Sequence, residues 1–137
     1  MTSTVSYENH LRTCCTHLSS SSSFETDAPV DNSGKGERFS PTDLLATSLA
    51  ACMLTVMGIK CKSMNQDLDG LKIEVDKVML ADPRRVSGVN LTVQIPEHLV
   101  FADDKMKQIL KTTATTCPVM KSIHPDIIVN IDWGKWS

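Results

Sequence analysis

The clearest pattern in the chain is a period of two. Leu71, Ile73 and Val75 alternate with Lys72, Glu74 and Asp76, which marks a strand with one face buried. The apolar phase then shifts to Val78 and Leu80, predicting a bulge. Asp82-Pro83-Arg84-Arg85 reads as the turn into a second strand. There Val89, Leu91, Val93 and Ile95 alternate with Asn90, Thr92 and Gln94 until Pro96 stops the run. The chain ends with Ile127, Val129, Ile131 and Trp133 on one face of a last strand. Near the start, Tyr7–Leu18 and Phe24–Ala28 read as a hairpin, with the serine run Ser19–Ser23 as its mobile turn. Asp31–Glu37 is a polar loop.

Between these strand regions the period changes to that of a helix. Ser40 is a good N-cap, Pro41 suits the first helical position, and Asp43 sits where a capping box wants an acid. Lys60 and Lys62 suit the negative end of the dipole. From Leu44 to Ile59 the helix is apolar nearly all round, which predicts burial on every side. A second helix starts near Asp103-Asp104, with Met106, Ile109, Leu110 and Thr113 on one face and Cys117 continuing that stripe. Cys117-Pro118 breaks the pattern and opens a short third helix. Strands, a buried helix, strands, helices and a strand give an α+β fold with mostly antiparallel sheet. So apolar a helix needs more cover than one small sheet offers, which predicts a homodimer.

Composition narrows the function. The 137 residues suit a single domain, 1–137, and the net charge of −2 gives no reason to expect nucleic acid or an anionic membrane as partner. The first residues lack a basic start followed by an apolar run, so no secretory signal is read there. The run Leu44–Ile59 is shorter than the roughly 20 residues that span a bilayer. The expected location is therefore cytoplasmic, where five cysteines are a poor basis for a structural disulfide framework.

Thiol chemistry becomes the question. Cys52 lies in mid-helix, where burial alone would raise its pKa, so it needs a cation or hydrogen-bond donors. Cys117 stands at a helix start, where unpaired N–H groups favour the anion. Cys61 reads as incidental. Cys14 and Cys15 point to opposite faces of a strand and read as packing. His10 and His17 beside them match no metal-ligand spacing, and no metal is expected. His98 and His124 read as surface or turn residues, with His124 near enough in sequence to tune Cys117. No phosphate loop, Ser-His-Asp order or cofactor fingerprint is present, so no cofactor is expected. Met53, Met57, Met106 and Met120 read as core filler and candidate lining of an apolar substrate pocket.

The segment Phe39-Ser40-Pro41-Thr42-Asp43 through Ala50-Ala51-Cys52 resembles the helix signature of the OsmC/Ohr family, the osmotically inducible and organic hydroperoxide resistance proteins. Cys117-Pro118-Val119-Met120-Lys121 resembles the second motif of that family, and the opening strands are similar too. The resemblance implies an OsmC-like sheet wrapped on a long central helix, and an intertwined homodimer with sites at its interface. It implies a peroxidase for organic hydroperoxides in oxidative or osmotic stress, with Cys52 and Cys117 as the reactive pair. An external dithiol of the lipoyl or thioredoxin type would be the reductant. It also implies an arginine–carboxylate pair serving the thiol, with Arg12 and Arg38 as candidate cations. In the hydroperoxide-resistance branch the acid directly follows the proline. Here Thr42 stands there, and Asp43, the acid position of other branches, comes next. Two rival readings use the same scaffold: a non-enzymatic dimeric module binding a small apolar ligand, and a different thiol reaction such as persulfide handling.

Overall fold

The computed structural model describes residues 1–101 and 103–137. It divides into two compact units, Met1–Leu45 and Ala46–Ser137. The first holds β1 (Ser3–Tyr7), β2 (Arg12–His17) and β3 (Ser23–Asp27), paired antiparallel in that order. The expected strand Tyr7–Leu18 is therefore two elements. Asn9, His10 and Leu11 take successive positive φ values of 67°, 53° and 61°, which turn the chain before β2. The serine turn is held by hydrogen bonds rather than left loose: the His17 N–H donates to Ser22 O at 2.8 Å and the Ser21 N–H to His17 O at 2.9 Å. After β3 the loop makes a short 3-10 turn, Val30–Asn32, and folds back, with the Gly34 N–H donating to Pro29 O at 3.0 Å and the Gly36 N–H to Ala28 O at 3.3 Å. The buried residues of this unit are the polar Thr26, Asp27 and Ser40, whereas Val5, Tyr7, Phe24 and Phe39 lie exposed.

The first helix, α1 (Pro41–Ser63), starts in the first unit and runs into the second. Its capping box is formed as the sequence predicts. The Asp43 N–H donates to Ser40 Oγ at 3.1 Å, and the Ser40 N–H donates to Asp43 Oδ2 at 2.9 Å. Burial on every side is not what this chain shows. Ala46, Leu49, Ala50, Met53, Met57 and Cys61 form one buried stripe, while Leu45 and Ile59 are exposed. At 23 residues α1 is also long and apolar enough to cross a bilayer, beyond what the shorter run Leu44–Ile59 implied. Its stripe is nonetheless part of a core, which accounts for that composition.

The second unit continues with β4 (Lys72–Ala81), β5 (Arg84–Gln94), α2 (Asp104–Thr115), α3 (Pro118–Ser122) and β6 (Ile128–Asp132). β4 and β5 pair antiparallel, and β5 and β6 pair parallel. A parallel neighbour needs a long crossover, which the stretch carrying α2 and α3 provides. A bulge lies where the pattern suggested, but on the other strand. Val78 pairs with Gly88 and Met79 with Val86, so the extra residue is Ser87 of β5. β4 therefore keeps its phase, with Ile73, Val75 and Met79 half-buried and Val78 and Leu80 exposed. The buried core joins α1 to Val86, Val89, Leu91, Leu110, Ala114, Cys117 and Trp136.

Candidate functional site

Cys52 is half-buried on α1 and Cys117 is buried immediately before α3; both thiols are free. They face each other closely enough that Cys52 makes a side-chain hydrogen bond with Cys117 and acts on it by charge. Cys117 is the N-cap of α3, as its place before Pro118 predicts, and its Sγ accepts from the Met120 N–H at 3.4 Å. The anticipated help from that cap is real but smaller than an opposing effect. Burial pushes the Cys117 thiol up, the bond and charge of Cys52 push it further, and the N–H groups of Met120 and Val119 only partly offset them. The Cys117 thiol is thus pushed toward its neutral form. His124, a candidate for tuning it, is exposed and faces Asp126 instead.

Arg12 is the better anchored of the two candidate cations. It stands opposite Asp27 in the β2–β3 register. Its Nε donates to Asp27 Oδ1 at 2.7 Å and its Nη2 to Asp27 Oδ2 at 2.9 Å, a side-on bidentate pair. Nη2 also donates to Glu37 Oε2 at 2.9 Å. Asp27 is buried, and the hydrogen bonds from Arg12 hold its carboxyl below the usual carboxylate range despite that burial; the Glu37 N–H and the charge of Arg38 help. The Arg12 guanidinium is pushed up in turn, first by Asp27 and then by Glu37. Arg38 is more exposed, and its Nε donates to Glu25 at 3.0 Å. Asp43 serves the capping box, and Thr42 Oγ1 lies 3.1 Å from Ser40 Oγ.

Asp27 and Glu37 were not among the expected site residues. The signal for Asp27 was an opposite-charge pair: the arginine opening β2 against the acid closing β3, at cross-strand distance once the hairpin is in register. Glu37 left no local signal, because a loop glutamate three residues before the helix cap looks like solvated surface.

Met53 and Met57 are fully buried core residues, as their reading as core filler predicts. In the first unit, however, a cavity of about 610 Å³ is lined by Cys14, Phe24, Glu25, Arg38, Phe39 and Leu44. Cys14 therefore faces a cavity rather than packing. Cys61 is buried in the core of the second unit, and desolvation pushes its thiol up.

The family model described as OsmC-like protein matches residues 34–132, a span that contains both Cys52 and Cys117. The chain belongs to the OsmC-like protein family. A crystal structure from Psychrobacter arcticus 273-4, a proposed osmotic stress induced and detoxification response protein, is 56% identical, with a TM-score of 0.90 over 96% of this chain and 94% of that one. An organic hydroperoxide resistance protein from Legionella pneumophila has a TM-score of 0.71 at 17% identity, over 96% of each chain. An organic hydroperoxide resistance protein of Bacillus subtilis has a TM-score of 0.61 at 20% identity, over 96% of this chain and 97% of that one. These last two likenesses are of the OsmC-like fold. No curated protein sequence matches the chain.

Proposed function

We propose that this OsmC-like protein is a thiol peroxidase for organic hydroperoxides, acting in oxidative or osmotic stress defence. One observation carries the reading: two free thiols, Cys52 on α1 and Cys117 at the N-cap of α3, lie side by side, and burial together with Cys52 pushes the Cys117 thiol up. The names of its hydroperoxide-resistance neighbours support the same substrate class.

In the proposed cycle the Cys52 thiolate attacks one peroxide oxygen. An S–O bond forms, the O–O bond breaks, and the departing alkoxide takes a proton and leaves as alcohol. Cys52 is then a sulfenic acid. The Cys117 thiol gives up its proton and its sulfur attacks Cys52; an S–S bond forms, the S–O bond breaks and water leaves. An external dithiol, of the lipoyl or thioredoxin type, reduces the disulfide by exchange and is itself oxidised. No bound cofactor or metal enters the cycle. A reducing cytoplasm would supply the dithiol, and the family resemblance leaves Arg12 and Arg38 as the candidate cations for thiol activation.

Turnover with an alkyl hydroperoxide and a dithiol reductant tests the reading. Cys52→Ser abolishes peroxide consumption. Cys117→Ser consumes one equivalent, leaves a sulfenic acid at Cys52 that dimedone traps, and does not turn over. Wild-type turnover in either variant contradicts the paired-thiol cycle.

A further inference from the structure

The start of α3 is held by one sulfur atom. The helix has five residues, Pro118–Ser122, and none of them is buried. So short a helix has little stability of its own and leans on its caps. Pro118 brings no N–H, and the Lys121 N–H donates to Cys117 O at 3.1 Å. The Val119 and Met120 N–H groups are then the donors of the first turn that need a partner from outside the helix. Both act on the Cys117 sulfur, the Met120 N–H at 3.4 Å. At the other end the Ile123 N–H donates to Val119 O at 3.0 Å and the Ser122 hydroxyl to Pro118 O at 2.7 Å, bonds that do not involve the sulfur.

The same sulfur meets Cys52 through a side-chain hydrogen bond. One atom therefore serves two structures, the cap of α3 and the disulfide of the proposed cycle. As a thiol or thiolate it has lone pairs for N–H donors, and the anion accepts them strongly. In a disulfide it is uncharged, a weak acceptor, and turned toward Cys52. The two uses compete.

We propose that α3 is a redox-responsive element, capped and ordered while Cys117 is a free thiol and loosened when its sulfur is bonded to Cys52. The inference deepens the paired-thiol reading and rests on it for that bond. With a hydroperoxide as oxidant, two thiols and one O–O bond become a disulfide, an alcohol and water. On reduction a dithiol sulfur bonds to Cys52, the Cys52–Cys117 bond breaks, and Cys117 leaves as thiolate. The dithiol then closes its own disulfide and frees Cys52. The Val119 and Met120 N–H groups receive the departing anion, and α3 re-forms around it.

Amide hydrogen exchange, read by NMR on the full-length protein, tests this. The disulfide is made with diamide, a general thiol oxidant, so that no peroxidase activity is needed, and mass spectrometry checks which cysteines it joins. Val119 and Met120 are protected in the reduced protein. In the oxidised protein their exchange speeds up roughly threefold to thirtyfold, as for loss of an N-cap, while Leu91 and Val93 in β5 keep their rates. Cys117→Ala shows the same acceleration without any disulfide. Cys117→Ser, whose hydroxyl also caps, stays near reduced wild type and does not respond to diamide. Unchanged rates at Val119 and Met120 on oxidation, an equal acceleration in β5, or no Cys52–Cys117 bond under diamide overturns the proposal. An alkyl hydroperoxide is scored separately: if it fails to form a bond that diamide forms, the peroxidase reading falls and this one stands.

Discussion

Asp27 and Cys117 are both buried and both titratable, and their neighbours act on them in opposite directions. Arg12 favours the charged form of Asp27, so its folded pKa lies below the unfolded one. The stability this adds is fully present above the ordinary aspartate pKa of about 3.9 and is lost as pH falls through the lowered value. In urea melts between about pH 2 and 6, Asp27→Asn should flatten that acid-side loss. An unaltered pH slope would mean that the pair is not coupled to folding. Desolvation and the adjacent Cys52 favour the neutral form of Cys117. Its alkylation should be slower at neutral pH than that of a free cysteine and rise above the ordinary thiol pKa of about 8.5. A rate at neutral pH equal to that of a free cysteine contradicts this. The two candidate cysteines were legible in the sequence because each sits in a motif with its own local grammar: an acid-capped apolar helix and a Cys-Pro helix start. The upward push on the Cys117 thiol was not, because it depends on packing among α1, α2 and α3 that no local pattern encodes.

At the scale of elements, caps and periods translated well. Ser40 and Asp43 form the box their spacing predicts, and Asp103 caps α2 by accepting from the Met106 N–H at 2.9 Å. The failures came where a partner strand or turn made the decision. Val78 and Leu80 suggested a phase shift in β4, yet β5 absorbs the extra residue at Ser87, and no reading of β4 alone could assign it. No local signal separates β1 from β2, because Asn9-His10-Leu11 contains no glycine or proline to announce three positive-φ residues in succession. Two substitutions test the element-level account. Leu49→Ala on the buried stripe of α1 should cost about 2–5 kcal/mol in a denaturant melt, as a large-to-small change in a packed core. Gly34→Ala should displace the loop that carries Glu37, because the new Cβ meets backbone at Ala28 and cannot move it cheaply. Its effect should show as lost stability in the same denaturant melt.

Taken as a whole molecule, the chain leaves unusual apolar surface uncovered. Val5, Tyr7, Phe24 and Phe39 in the first unit, and Ile59 on α1, are all more than half exposed. Isolated apolar side chains on a surface are ordinary, but this many on so short a chain mark an interface. The all-apolar α1 led the sequence reading to the same expectation, since a helix with no polar face needs cover on every side. The protein should therefore sediment as a homodimer, and Ile59→Glu should shift it toward monomer; a monomeric wild type contradicts this. The proposed pairing of Cys52 with Cys117 is tested most directly by treating freshly reduced protein with one equivalent of an alkyl hydroperoxide, beside hydrogen peroxide, and mapping disulfides by mass spectrometry. A rapid Cys52–Cys117 bond, formed faster with the alkyl hydroperoxide, is the predicted result. Thiols that stay reduced, or a bond that joins other cysteines, would contradict it.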